Sequence, residues 1–212
     1  MLSTLTDWIL HLDQHLAALA TSHAVLVYLV LFLVIFIETG VVILPFLPGD
    51  SLLFVAGAMA AQGTFRLEVL APLLVLAAVA GDTMNFAIGG LMRTRVLATG
   101  RIRFIKPEHL QRTHAFFDRH GPKTILLARF VPVVRTLAPF VAALGDMAYA
   151  TFLRYNIIGG LLWVAALLGA GVAFGNLPWV SGHLTIVILA IVALSLVPGV
   201  LGWAMEKSKA KA

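Results

Sequence analysis

Four charged residues lie inside apolar stretches of this chain, and their side chains could together bind and release an anion. Glu38 and Asp50 flank an apolar run in the first half, and Arg129 and Arg135 lie six residues apart in the second half. A charge inside a membrane costs roughly a few kcal/mol and is usually functional. Arginine binds phosphate in a bidentate manner and keeps its charge, whereas a carboxylate can carry a proton. These residue types favour a polar site in which the arginines could bind an anion such as phosphate and the carboxylates could exchange protons and ionic partners.

Proline and glycine interrupt both apolar stretches next to these charges. The first stretch contains Pro45, Pro48 and Gly49, and the second contains Pro132 and Pro139. Proline breaks a helix, and in a membrane the freed backbone groups must be satisfied by protein or by water in a cavity. These five positions are therefore predicted hinges or pathway-lining residues. One acidic break and one basic break predict a polar site near the middle of a membrane.

The composition restricts the class of protein. Of 212 residues, 60% are hydrophobic and only 12% are charged, against roughly 25% charged residues in average globular domains. We therefore expect an integral membrane protein. Cysteine is absent, which excludes thiolate metal sites and cysteine nucleophiles, and we expect no metal or other cofactor. The net charge of +5 comes from unevenly placed basic residues, which indicate membrane topology rather than a nucleic-acid partner.

The apolar segments predict an all-α integral membrane protein that forms a single membrane domain over residues 1–212. We expect an N-terminal amphipathic helix at 1–23 and a first repeat at 24–92, with a re-entrant hairpin at 24–62 and a transmembrane helix after it. A basic cytoplasmic loop at 93–123 follows, and then a second repeat at 124–180, with a re-entrant hairpin at 124–150 and its own transmembrane helix. The chain is predicted to end with a transmembrane helix at 183–204 and a basic tail at 205–212. The spanning helices of the repeats are predicted at 67–91 and 155–176. Residues 24–44 could instead form a full span.

A shift of 86 residues aligns the two halves, and Ala87-Ile-Gly89 then falls on Ala173-Phe-Gly175. Identities are few, but the order of a broken hairpin followed by a spanning helix occurs twice. A hairpin returns to its own side and one span then crosses, so the second hairpin enters from the opposite face. That arrangement is an inverted-topology repeat, which is common in secondary transporters. The basic loop places the opening of the second hairpin at the cytoplasm.

The chain resembles the DedA family, the bacterial members of the VTT or SNARE-associated Golgi protein group. The resemblance covers roughly residues 24–180. The stretches that carry it are Phe36-Ile-Glu38, Pro45-Phe-Leu-Pro48-Gly49-Asp50, Gly81-Asp82, Phe116-Phe117-Asp118-Arg119-His120-Gly121, Arg129-Phe-Val-Pro132-Val-Val-Arg135, Gly145 and Met147. The first motif often ends in Pro-Gly-Glu in the family and here ends in Pro-Gly-Asp, which keeps the carboxylate. The resemblance implies movement of undecaprenyl phosphate across the cytoplasmic membrane and dependence on the proton motive force. It also implies that Glu38, Asp50, Arg129 and Arg135 are the essential charged positions, and eukaryotic relatives look like lipid scramblases.

Simpler structural interpretations stay open for each of these residues. Both arginines could neutralise Glu38 or Asp50 and so hold the hairpins together. Asp50 could be a helix N-cap after Gly49. Asp82 and Asn85 could line the pathway or could form interhelical hydrogen bonds.

The leading hypothesis is a proton-coupled flippase for undecaprenyl phosphate or another anionic lipid, in the bacterial cytoplasmic (inner) membrane with several membrane passes. A proton-coupled small-cation antiporter, a general phospholipid scramblase and a non-catalytic scaffold are the alternatives. We do not expect an enzyme, because no histidine lies near a candidate nucleophile in the apolar segments. The expected partners are membrane lipid and protons, without nucleic acid. Homo-oligomerisation and the side of the N-terminus stay open.

Overall fold

A computed structural model describes residues 24–41, 49–99 and 117–178, together with the single positions 113, 115 and 186. Within these ranges the chain is helical and contains no strand. The helices are α1 (Ala24–Gly40), α2 (Gly49–Ala61), α3 (Leu67–Thr99), α4 (Thr124–Ala128), α5 (Pro132–Leu144) and α6 (Tyr149–Phe174), and a 3-10 turn at Gly121–Lys123 precedes α4. The predicted amphipathic helix at 1–23, Pro45, Pro48, about half of the central loop (residues 100–112, 114 and 116), all but one residue of the 183–204 helix and the tail fall outside the described residues.

Among the described residues, two helices are long and apolar enough to cross a membrane. These candidate spans are Leu67–Arg93 within α3 and Tyr149–Phe174, which is α6. At 1.5 Å per residue each is roughly 40 Å long, which exceeds the approximately 30 Å of a hydrocarbon core. The sequence predicted both spans, the first with the same start and the second with a start at residue 155. The earlier start of α6 places Phe152, which is buried in an apolar cluster, inside the helix.

The other apolar helices are shorter than a membrane span. Helix α1 has 17 residues and α2 and α5 have 13 each, below the roughly 20 that a span needs. In the range 124–150, where the sequence predicted a re-entrant hairpin, the chain forms α4 and α5, joined by a turn at residues 129–131. Ile125 and Ala128 of α4 pack in one cluster with Val134 and Ala138 of α5. Re-entry into the membrane and the inverted repeat both stay predictions.

Helix α1 has one buried face and one exposed face, and both faces are apolar. Val27, Leu31 and Ile35 are buried, at the spacing of four residues that places them on one side of a helix. Leu29 and Leu33 are exposed. An apolar exposed face opposite an apolar buried face is typical of a helix in lipid rather than in water.

The described residues form two compact units. In the first unit the start of α1, helix α2, the start of α3 and the part of α6 from Val164 onward come together. Glycines allow α2 and α6 to touch through their backbones, because a Cβ atom at Gly57 would lie 2.2 Å from the carbonyl oxygen of Leu168. The backbone N–H of Arg66 donates to the hydroxyl of Tyr28 at 2.9 Å and fixes the turn before α3.

The second unit contains the end of α1, α3 from Val75, helices α4 and α5, and α6 up to Trp163. Its apolar core includes the stacked rings of Phe86 and Phe152, whose centroids are 4.3 Å apart. After α5 the chain turns at Gly145 and Asp146, and Asp146 has a positive φ of 60°. Asp146 tolerates this left-handed conformation because its short polar side chain can bond locally.

Candidate functional site

Glu38 and Arg135 form an ion pair within the second unit. Glu38 lies near the C-terminal end of α1, Arg135 lies in the first turn of α5, and Arg135 Nη2 donates to Glu38 Oε1. The side chain of Glu38 is only 2% exposed and that of Arg135 15%. Removing either partner would leave an uncompensated charge in an apolar environment, which is strongly unfavourable. The two residues that the sequence singled out on different halves of the chain are therefore direct partners.

Arg129 forms a second buried ion pair, with Asp82 of α3. The arginine lies in the turn between α4 and α5, and its Nη2 donates to Asp82 Oδ2 and, at 2.6 Å, to Asn156 Oδ1. Asn156 Nδ2 in turn donates to the carbonyl oxygen of Val79 at 3.1 Å. Both ionic side chains are less than a tenth exposed. A charged group held by a carboxylate and an amide at once has a fixed orientation.

A glycine in α6 makes room for the Arg129 side chain. A Cβ atom at Gly159 would lie 3.1 Å from both Cδ and Nε of Arg129, so the guanidinium stem lies directly on the backbone of α6. Arg129 Nε is buried and finds no acceptor among the described residues. A buried N–H without an acceptor is costly, and a water molecule or a bound ligand would relieve that cost.

The two ion pairs line one cavity. Its walls are Glu38, Thr39, Asp82, Arg129, Arg135, Thr136 and Trp163. The free space at its centre holds about one water molecule. The ring of Trp163 lies beside both guanidinium groups, with its centroid 5.2 Å from Cζ of Arg135 and 5.9 Å from Cζ of Arg129. These distances fall within the range of cation–π attraction, which offsets part of the repulsion between two like charges.

Asn85 forms hydrogen bonds between elements, as one of its two sequence-based interpretations anticipated. Its Nδ2 donates to the carbonyl oxygens of Thr39 and Thr136 at 3.2 and 2.8 Å. Asp82 of α3 forms its ion pair with Arg129, in the turn between α4 and α5, so it belongs to the charged site itself. The sequence had offered Glu38 or Asp50 as the counter-ion of Arg129, and the structure assigns Asp82.

Asp50 belongs to the first unit, whereas Arg129 and Arg135 belong to the second. It occupies the first turn of α2, one residue after Gly49, where the helix begins. A carboxylate in the first turn interacts favourably with the positive end of the helix dipole. Pro132 is in the first turn of α5 and Pro139 lies inside that helix, so both prolines are where the broken second stretch was expected.

Asn156 and Trp163 are the site residues that the sequence analysis missed. Asn156 is an amide inside the mostly apolar span predicted at 155–176, and polar side chains in such spans usually bond across helices or line a pathway. That signal was present in the sequence. Nothing in the sequence distinguishes Trp163 from a tryptophan that anchors a helix in lipid.

These features define a class of protein: a helical membrane protein with two arginine–carboxylate pairs buried around one cavity. The model of the VTT domain matches residues 47–173. Protein DedA of Escherichia coli is 48% identical over 93% of this chain and 91% of its own length. The chain belongs to the DedA family of membrane proteins.

Two further relatives extend the comparison. An uncharacterized membrane protein of Mycobacterium leprae is 39% identical over 84% of this chain and 80% of its own length. Inner membrane protein YghB of Escherichia coli is 35% identical over 95% of this chain and 94% of its own length. No solved structure gives a significant match to this chain.

Proposed function

We propose that this protein transports a lipid phosphate, with undecaprenyl phosphate as the expected substrate, across the bacterial cytoplasmic membrane in a proton-coupled manner. The observation that carries the proposal is the buried Glu38–Arg135 pair, which shares a cavity with Arg129. A guanidinium group paired with a carboxylate is already arranged to accept a phosphate in its place. No bond of the lipid is broken in this scheme, so the protein is proposed to be a transporter and not an enzyme.

The small size of the cavity supports a mechanism of partner exchange. A space for about one water molecule does not hold a phosphate group, so the lining side chains must move before the headgroup can enter, and we propose that Glu38 and Arg135 separate. In the proposed cycle the phosphate takes the place of Glu38 at Arg135 while the polyprenyl tail stays in the surrounding lipid. Exposed apolar side chains on α6, such as Ile158 and Leu161, offer the tail a suitable surface.

The charges around the cavity give a reason for proton coupling. Two arginines and two carboxylates sum to zero when all four are ionised. A phosphate monoester adds about −1.5 to −2 near neutral pH. Because an uncompensated charge is expensive inside a membrane, we propose that Glu38 takes up a proton when it loses Arg135. Release of the phosphate lets Glu38 return to Arg135 and lose that proton.

Transport by the purified protein in liposomes tests the proposal. We expect Arg135→Gln to abolish the movement of a polyprenyl phosphate and to weaken its binding to the protein. Arg66→Gln is the matched control, because Arg66 is 78% exposed and pairs with Glu68 outside the cavity. If Arg135→Gln is correctly inserted and still binds and moves the lipid phosphate, the arginine clamp is wrong.

A proton-coupled cation antiporter is the second candidate, and the two buried carboxylates of the cavity favour it. Glu38 and Asp82 could exchange a proton for a small cation without a lipid substrate. Liposomes without lipid phosphate distinguish the two functions. An antiporter shows cation-dependent proton flux in them, whereas the proposed lipid transporter shows none.

A further inference from the structure

One buried amide bonds to the backbone beside both members of the Glu38–Arg135 pair. Asn85 is fully buried, and its Nδ2 donates to the carbonyl oxygens of Thr39 and Thr136. Each of these threonines directly follows a member of the ion pair in sequence. A primary amide has two N–H donors, which suffices for one bond to each carbonyl. A single side chain on α3 therefore joins the end of α1 to the first turns of α5.

The glycines around Asn85 show how closely α3 approaches these two elements. Gly81 and Gly89 lie four residues on either side of Asn85, which places all three residues on one face of α3. A Cβ atom at Gly81 would lie 2.7 Å from the carbonyl oxygen of Phe36 in α1. A Cβ atom at Gly89 would lie 2.6 Å from the carbonyl oxygen of Phe140 in α5. The backbone of α3 thus contacts both α1 and α5. These contacts fix the distances over which Asn85 forms its two hydrogen bonds.

From this geometry we propose that Asn85 is a positioning residue that sets the spacing between Glu38 and Arg135. Its two hydrogen bonds hold the backbone next to both charged residues in the closed arrangement, in which the cavity holds about one water molecule. Asn85 acts through Thr39 and Thr136 and does not bind the substrate. The inference itself concerns the ion pair, and only its transport readout rests on the proposed lipid-phosphate function.

A double-mutant cycle on thermal unfolding of the purified protein tests the inference without any transport measurement. Asn85→Leu removes both donors in a side chain of similar size. We expect its loss of melting temperature to shrink by at least half when Glu38→Gln and Arg135→Gln are also present, because no ion pair is then left to position. An equal loss of melting temperature in both backgrounds would overturn the inference. The hydrogen bonds of Asn85 would then be purely structural.

Asn176→Leu is the matched control for this cycle. Asn176 donates to the carbonyl oxygen of Ala61 at 3.4 Å in the other unit, so its effect should be the same in both backgrounds. If Asn85→Leu does not fold, Asn85→Ser, which keeps one donor, replaces it in the cycle with the same criterion.

Transport kinetics give a second readout. Two hydrogen bonds of ordinary strength correspond to a change of about thirtyfold in the KM for a polyprenyl phosphate, with a smaller change in the maximal rate. A fall in the maximal rate alone, with KM unchanged, would contradict a positioning role. Failure of the unaltered protein to move lipid phosphate would instead refute the proposed function, and the unfolding cycle would still decide the role of Asn85.

Discussion

Glu38→Gln should tighten the binding of a lipid phosphate while it slows transport. In the proposed mechanism Glu38 competes with the phosphate for Arg135, and the two residues are paired in the closed site. Glutamine keeps the size of the side chain but removes the competing charge. The affinity for phosphate should therefore rise, and release of the phosphate should become the slow step. Arg135→Gln should have the opposite effect on affinity, because it removes the group that binds the phosphate.

The size of this effect follows from the energy of the pair. Two unit charges about 4 Å apart attract each other by about 4 kcal/mol at the effective dielectric constant of 20 that suits protein sites. Glutamine can still accept a hydrogen bond from Arg135, so only part of this attraction is lost as competition. A net change of about 1.4–3 kcal/mol corresponds to phosphate binding that is tighter by roughly ten- to a hundredfold.

Binding of a short-chain polyprenyl phosphate to protein in lipid nanodiscs provides the assay, with transport in liposomes measured in parallel across pH. Glu68→Gln is the control, because Glu68 forms an exposed ion pair with Arg66 at 3.4 Å and should leave binding unchanged. Weaker phosphate binding in Glu38→Gln would refute the exchange of partners at Arg135. A pH dependence of transport equal to that of the unaltered protein would exclude Glu38 as the proton carrier.

Three further predictions concern the same unit. Asp82→Asn should destabilise the protein by about 3–5 kcal/mol in thermal unfolding, because Arg129 keeps a buried charge without a counter-ion, and Arg129→Gln added to it should recover part of the loss. Gly81→Ala should destabilise the protein by about 1–3 kcal/mol, because its Cβ would meet the backbone of α1; Gly90→Ala on the same helix faces open space and should not destabilise it. Trp163→Leu should weaken phosphate binding by roughly three- to thirtyfold, as the loss of a cation–π attraction of about 0.5–2 kcal/mol predicts, and Trp163→Phe should weaken it by less. Equal effects of the two substitutions would contradict a cation–π origin.

The all-helical membrane class could be predicted from composition and from the length of the apolar segments, because both are properties of the local sequence. The spans within α3 and α6 were predictable from apolar length alone, and the break at Arg129 was predictable from Pro132. The turn at Asp146 was also predictable, since it follows Gly145 near the end of an apolar segment. Each of these features involves residues that are close together in the chain.

The pairing of charges could not be predicted in the same way. Arg135 and Glu38 are 97 residues apart, and Arg129 and Asp82 are 47 apart, so their contacts depend on how the helices pack. The charge types indicated that acids and arginines would pair, but not which acid would meet which arginine. Asp50 carries the same charge as Asp82 and lies in a different unit. The packing of α3 against the turn at Arg129 brings Asp82 to that arginine.

A cryo-electron microscopy structure of the protein in nanodiscs with an added polyprenyl phosphate would test the central claim most directly. We expect density for the phosphate at Arg135, within reach of Arg129, with the carboxylate of Glu38 displaced from its position in the closed ion pair. Phosphate density elsewhere, with both the Glu38–Arg135 and Asp82–Arg129 pairs intact, would contradict the proposed clamp.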